Sequence, residues 1–220
     1  TGADLEYSKQ FLGAGMQAEN RQADIAVDRE TLEKTFKHID ISRLSGETVE
    51  RAKKVKFLVL DIDGVCTNGQ LYINPRGETT KTFHVHDGIG IKTAFMAGIG
   101  VGIITGRKDT CVEARMRPLG VTEFFCGYYS KLEPLAELAR NQRISYEEMA
   151  YLGDDIIDLD PLLRVGLPCA VANAREEVKN VASVVTKTRG GEGAVRELVE
   201  ILLACQEKSP AALYWIHHNG

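Results

Sequence analysis

Two aspartates separated by a single residue, Asp61 and Asp63, follow directly on the apolar run Phe57-Leu58-Val59-Leu60. Three further apolar runs end in the same way. Thr105-Gly106-Arg107 follows Val101-Gly102-Ile103-Ile104, and Lys131 comes shortly after Phe124-Phe125-Cys126. Gly153-Asp154-Asp155, with Asp158 beyond, follows Met149-Ala150-Tyr151-Leu152. A carboxylate such as Asp61 can attack phosphorus and form an acyl phosphate. Crowding it with Asp154 calls for a cation between them, and hard oxygen ligands beside a phosphate suit Mg2+. Asp63, two residues on, can act as general acid toward a leaving oxygen and then as base for water. The Thr105 hydroxyl and the Lys131 ammonium are suited to phosphoryl oxygens, and Lys131 also offsets the charge on Asp61. Each piece alone is commonplace: a turn or helix cap, a loop, a solvated lysine. Four in order, each at an expected strand end or the helix start just after one, are not.

The elements that must position these groups alternate between strand and helix. Strands are expected at 57–60, 101–104, 124–126, 149–152, 168–171 and 183–185. Helices are expected over about 110–118, 131–141 and 193–205, the last carrying Val195, Leu198, Val199 and Leu202 at helical spacing. This pattern predicts an α/β fold, a doubly wound parallel sheet of Rossmann type, with its chemistry beyond the carboxyl ends of the strands. Between Asp63 and Gly90, two runs (71–73 and 80–85) flank Asn74-Pro75-Arg76-Gly77 and predict a small β-hairpin insertion. Upstream, Ser45 is a candidate cap for a helix over 47–53, and Asp28 for one carrying Leu32, Phe36 and Ile39. The expected organisation is an N-terminal arm and helices (1–54), a catalytic domain (55–206, hairpin about 70–85) and a tail (207–220).

Composition excludes other classes. The 220 residues are 44% hydrophobic, with Lys+Arg 27 against Asp+Glu 31 and a net charge of −4, and no long basic run. Nucleic acid and anionic membrane, which need a concentrated positive face, are poor partners. No apolar stretch is long enough to span a bilayer. The N-terminus lacks a secretory pattern, so a cytoplasmic protein is expected. Five scattered cysteines without a CxxC pair suggest neither a disulfide framework nor a zinc site. They read as small core residues, with Cys66 close to the Asp61 loop. Tyr128-Tyr129 reads as packing, and His217-His218 as part of a polar tail.

The four segments resemble the four motifs of the haloacid dehalogenase superfamily, in which an Asp two residues after the nucleophile marks phosphatases and phosphomutases. More narrowly, Phe83-His84-Val85-His86-Asp87-Gly88-Ile89-Gly90-Ile91 and Thr188-Arg189-Gly190-Gly191-Glu192-Gly193-Ala194-Val195-Arg196-Glu197 are similar to signatures of 3-deoxy-D-manno-octulosonate 8-phosphate phosphatases. That family hydrolyses a sugar-acid phosphate on the route to lipopolysaccharide. The resemblance implies Mg2+ ligands at Asp61, at Asp63 through its backbone carbonyl, and at Asp154. It implies substrate contacts at Asp63, His84, Val85, His86, Asp87, Gly88, Lys92, Arg107, Arg115 and Lys131. The family pattern has Arg where His86 and Lys92 stand here, and both changes weaken bidentate carboxylate binding. The sugar acid is therefore less fixed than the reaction.

Three rival readings carry different expectations. A phospho-acceptor receiver domain shares the Asp, Thr and Lys but lacks the second acid that Asp63 supplies. A largely structural, oligomerising phosphatase-like domain would not need a complete set of turnover residues. A phosphatase for another sugar acid, of sialic-acid type, would keep the chemistry and change the pocket. Neither interval that could hold a cap domain, 61–105 or 105–131, is long enough for one. An open site with an exposed hairpin predicts a homotetramer, as the resembling family forms. The loop after Arg189, or the tail, would then reach a neighbour's pocket.

Overall fold

Runs of consecutive apolar residues can be strands only where both faces of the sheet are covered, and helices cover both faces here. The computed structural model describes Glu30 and residues 39–209. The expected helix on Leu32 and Phe36, nearly all of the arm, and the end of the tail with His217 and His218 lie outside the described residues. Along the chain run α1 (Gly46–Lys54), β1 (Phe57–Leu60), β2 (Tyr72–Ile73), β3 (Thr79–Thr80), α2 (Val85–Met96), β4 (Gly100–Thr105), α3 (Thr110–Met116) and β5 (Glu123–Cys126). They are followed by α4 (Leu132–Gln142), β6 (Met149–Gly153), α5 (Leu159–Leu162), β7 (Leu167–Ala170), α6 (Glu176–Val181), β8 (Val184–Val185) and α7 (Ala194–Cys205).

Six strands form one parallel sheet in the order β5-β4-β1-β6-β7-β8. β1 is buried at every position. Its last residue, Leu60, lies opposite Ile103 on one side and Leu152 on the other. The chain winds from β1 outward through β4 and β5, then returns to place β6 on β1's other edge. The carboxyl end of β1 is thus the topological switch point, where a doubly wound sheet leaves its crevice. Ser45 caps α1 as expected, its hydroxyl accepting from Thr48 N at 3.1 Å.

The hairpin is shorter than the sequence suggests. Its ladder pairs only Tyr72 with Thr80 and Ile73 with Thr79, where the second strand was expected to run over 80–85. Lys81 leaves the ladder because its side chain turns inward and is wholly buried, and from His84 the chain is already entering α2. Phe83 packs on the core, whereas Leu71, Tyr72 and Ile73 are exposed. Among the described residues no separate cap domain covers the strand ends. The hairpin and α2 fill the first interval, and α3 and β5 the second.

Candidate active site

Asp61 is the first residue past β1, and its backbone is still held by the sheet: Asp61 N donates to Leu152 O at 3.1 Å. Its side chain is buried, and burial pushes the carboxyl up to about 7, with the charge of Asp158 adding and Lys131 opposing. Lys131, the residue before α4, is likewise buried. Its ammonium stands 2.9 Å from Asp61 Oδ1 and 2.6 Å from Asp158 Oδ1. The second contact is an aligned hydrogen bond; the first is a charge contact, since Asp61 Oδ1 has no aligned donor. Burial works against the Lys131 charge, but the two carboxylates outweigh it and hold the ammonium above its usual range.

The loop after β6 is built around Asp158, which is fully buried. Its Oδ2 accepts from Asp154 N at 2.9 Å and Asp155 N at 3.2 Å, and its Oδ1 also accepts from Tyr151 Oη at 2.8 Å. This fixes the backbone of Asp154, whose carboxylate leans over the Asp61 loop. Gly64 makes room for it: the residue has φ +93°, and a Cβ there would overlap Asp154 Oδ2. Asp154 Oδ1 is buried without a hydrogen-bond donor. Burial, then the neighbouring charge of Asp61, pushes the Asp154 carboxyl up to about 8.

Two carboxylates forced together in a poorly hydrated crevice, with an orphaned oxygen, are what a divalent cation repairs. Asp61, Asp154 and Asp158 each offer an oxygen within 4.8 Å of the others. Asp158 already spends its oxygens on four donors, so Asp61 and Asp154 are the carboxylates left for a metal. A hard, oxygen-loving ion fits this donor set.

Thr105 ends β4 as a buried side chain. Arg107, just beyond, is partly exposed and paired through Nε with Asp109 Oδ2 at 3.1 Å. The segment of His84, Val85, His86, Asp87 and Gly88 forms the entry to α2. Val85 and His86 are exposed, Asp87 and Gly88 buried. Asp87 faces α7, its Oδ1 accepting from Arg196 N at 3.0 Å. Arg115 on α3 reaches this segment, for its guanidinium occupies the space beside Gly88 that a Cβ would need. His84 Nδ1 is buried with no hydrogen-bond partner, and its ring meets that of His86 edge-on at 4.7 Å. Lys92 is exposed on α2, and its side chain makes no hydrogen bond or ion pair among the described residues. The structure therefore brings Asp61, Lys131 and Asp154 into one crevice.

Two corrections concern residues outside this set. Tyr129, expected to pack, is exposed and flanks Gly106, whereas Tyr128, though partly exposed, meets the buried Phe125 ring edge-on at 6.3 Å. Cys111 and Cys126 are only partly buried, whereas Cys66, Cys169 and Cys205 are core residues. Cys66 Sγ donates to Asp61 O at 3.2 Å. Within this chain the loop after Arg189 is held by Gly191 N donating to Val65 O at 2.9 Å and Gly190 N to Asn173 Oδ1 at 2.7 Å. Sequence reasoning gave no role to Asp158, although its place four residues after Asp154 was a usable signal. It missed Lys81 and Asp109, whose Nζ and Oδ2 lie 2.6 Å apart.

Comparison with known proteins agrees with this geometry. The sequence profile of the haloacid dehalogenase-like hydrolases matches residues 123–198. The 3-deoxy-D-manno-octulosonate 8-phosphate phosphatase KdsC of Escherichia coli (strain K12) is 41% identical over 165 residues, covering 75% of this chain and 88% of that protein. A crystal structure of the phosphatase of that name from Yersinia pestis is 37% identical, with a TM-score of 0.74 over 78% of this chain and 94% of the other. The Moraxella catarrhalis structure, a complex with a magnesium ion, a phosphate ion and a KDO molecule, is 36% identical, with a TM-score of 0.71 over 73% and 92%. With the nucleophile loop, the buried lysine and the acidic pair all in place on this sheet, the chain belongs to the haloacid dehalogenase superfamily of hydrolases and, within it, to the 3-deoxy-D-manno-octulosonate 8-phosphate phosphatase family.

Proposed function

We propose that this chain hydrolyses 3-deoxy-D-manno-octulosonate 8-phosphate to the free sugar acid and phosphate, in lipopolysaccharide biosynthesis, through an aspartyl-phosphate on Asp61. One observation carries the reading: Asp61, buried at the switch point of the sheet, faces the Lys131 ammonium at 2.9 Å beside a second carboxylate, Asp154, that lacks a donor.

Asp61, Asp154 and the backbone carbonyl of Asp63 are the groups that would hold Mg2+. When bound, the ion supplies the positive charge that lets the carboxylates and a phosphoryl group share the crevice. The rest follows from side chains. An Asp61 oxygen attacks phosphorus as the bond from phosphorus to the sugar oxygen breaks, and Asp63 gives that leaving oxygen a proton. The Asp63 carboxylate then takes a proton from water, whose oxygen attacks the same phosphorus. The bond from phosphorus to Asp61 breaks and phosphate leaves. Lys131 and the Thr105 hydroxyl bind phosphoryl oxygens as charge moves onto them. Asp158 holds Lys131 in place. His84, Val85, His86, Asp87, Gly88, Lys92, Arg107 and Arg115 make up the remaining substrate contacts, with the cations facing the sugar carboxylate.

The assembly is a homotetramer. Leu71, Tyr72 and Ile73 on the hairpin and Val85, Ile89 and Met96 on α2 are large apolar side chains exposed on a single chain, and pairing hairpins about a symmetry axis buries them. Five free cysteines accord with the reducing cytoplasm, and no helix among the described residues is long and apolar enough to cross a membrane. A panel of sugar-acid phosphates ranked by kcat/KM tests the substrate. The eight-carbon 3-deoxy acid 8-phosphate is expected first, and a nine-carbon acid phosphate in first place would transfer the same chemistry to another pathway.

A further inference from the structure

Lys81 and Lys131 are the buried lysines among the described residues, and the mechanism above uses only Lys131. Lys81 follows β3 directly. Its ammonium stands 2.7 Å from Asp63 Oδ1, 2.7 Å from Asp63 Oδ2 and 2.6 Å from Asp109 Oδ2. Arg107 Nε meets that same Asp109 oxygen at 3.1 Å. Burying an ammonium is costly unless it is closely paired, and here charges alternate along Asp63, Lys81, Asp109 and Arg107. Asp109 is committed to this chain of contacts: burial raises its carboxyl, but the hydrogen bonds from Lys81 and Arg107 outweigh burial and lower it.

The consequence falls on Asp63. It lies two residues from Asp61, close enough in sequence for its carboxylate to collapse onto any cation held by the acidic cluster. The carboxylates whose oxygens gather within 4.8 Å of one another are those of Asp61, Asp154 and Asp158, and Asp63 is not among them. Its Oδ2 accepts a hydrogen bond from Lys81 instead, and its Oδ1 makes a charge contact with the same ammonium, across the loop toward the base of the hairpin.

We propose that Lys81 is a positioning residue: clasped between Asp63 and Asp109, it holds the Asp63 carboxylate outside the acidic cluster, in the orientation from which it exchanges protons with the leaving oxygen and the attacking water. The inference rests on the reading of Asp63 as the acid and base. Because Lys81 is the first residue after the hairpin, the clasp also ties that element to the proton-transfer group.

The test compares kcat/KM on two substrates in Lys81→Met, Asp63→Asn and the double variant. The sugar-acid phosphate leaves an alkoxide that needs a proton; p-nitrophenyl phosphate leaves a stable phenolate that does not. Lys81→Met is expected to lower the ratio of sugar to aryl kcat/KM about tenfold or more, a part of what the proton transfer itself is worth. In the Asp63→Asn background the same change is expected to cost less than about threefold, because Lys81 acts through Asp63. Equal losses on both substrates, or full additivity in the double variant, would overturn the proposal while leaving the Asp63 reading intact. An Asp63→Asn protein with an unchanged sugar-phosphate rate would remove both. If circular dichroism shows that Lys81→Met does not fold, Asp109→Asn replaces it by loosening the clasp from its other end. A lowered sugar-to-aryl ratio then supports the proposal, and an unmoved ratio overturns it.

Discussion

The Lys131 ammonium lies closer to Asp158, at 2.6 Å, than to Asp61, at 2.9 Å. The buried lysine is thus anchored from behind, by a carboxylate that also organises the Asp154 loop, and presents its charge forward to Asp61. Asp158→Ala strips Lys131 of its hydrogen-bonded partner and leaves Tyr151 Oη and two backbone donors unpaired. Breaking a buried pair from one side costs about 3–5 kcal/mol. That loss is expected in urea unfolding, with kcat lowered as well. A variant as stable as the parent would remove Asp158 from its place as anchor.

The roles of the two loop aspartates separate by severity. Asp61→Asn is expected to abolish turnover, because an amide cannot form the acyl phosphate. Asp63→Asn is expected to lose about two to four orders of magnitude in kcat, the range for general acid–base catalysis. Steady-state assays decide this, and wild-type kcat in Asp61→Asn would end the covalent mechanism.

What was legible in the sequence divides along a physical line. Strands buried on both faces read as unbroken apolar runs, so β1, β4 and β6 were visible within a residue or two, and so were the polar groups at their ends. Asp61, Lys131 and Asp154 could be foreseen together because a parallel sheet brings its strand ends to one edge. Lys81 could not. It stands in an alternating hairpin sequence, where a lysine ordinarily faces water. Its burial depends on Asp63 and Asp109, contributed by loops after two different strands. The same inward turn ended the second hairpin strand early, a tertiary demand overriding a local pattern. Tyr129 failed the other way: an aromatic pair suggested packing, but the turn between β5 and α4 lies at the open rim of the crevice.

Metal removal should show a pH signature of its own. Burial raises Asp61 to about 7 and Asp154 to about 8, from a usual 3.8. In the metal-free protein these folded-state carboxyls keep protons that the unfolded chain has already released. Stability from this source is full below about pH 4 and declines as pH rises toward about 8, where both states are ionised. A cation that replaces those protons removes the penalty. The rise in Tm on adding Mg2+ to an EDTA-treated sample is therefore expected to be larger at pH 8.5 than at pH 5.5, and turnover lost to EDTA is expected to return with Mg2+. A Tm gain that is flat across this range would show that the two carboxylates do not hold the ion.

The proposed assembly rests on surface that a single chain leaves exposed. Ile73 is 61% exposed on the hairpin, and Val85 and Ile89 are 69% and 53% exposed on α2, one helical turn apart. A two-stranded hairpin is at best marginally stable alone in water, and the first strand of this one exposes Tyr72 and Ile73. Burying these residues against copies of themselves would remove apolar area from water at roughly 25 cal/mol per Å² and hold the hairpin firm. Lys81 sits at the hairpin's base, so firmness there reaches Asp63 directly. Light scattering at micromolar concentration is expected to give four times the 24.2 kDa chain mass. Ile73→Asp, which places charge in the paired surface while touching no residue of the crevice, is expected to shift the protein to smaller species and to lower kcat/KM for the sugar-acid phosphate together with the mass. A fully active 24.2 kDa monomer would show that the open crevice needs no neighbour.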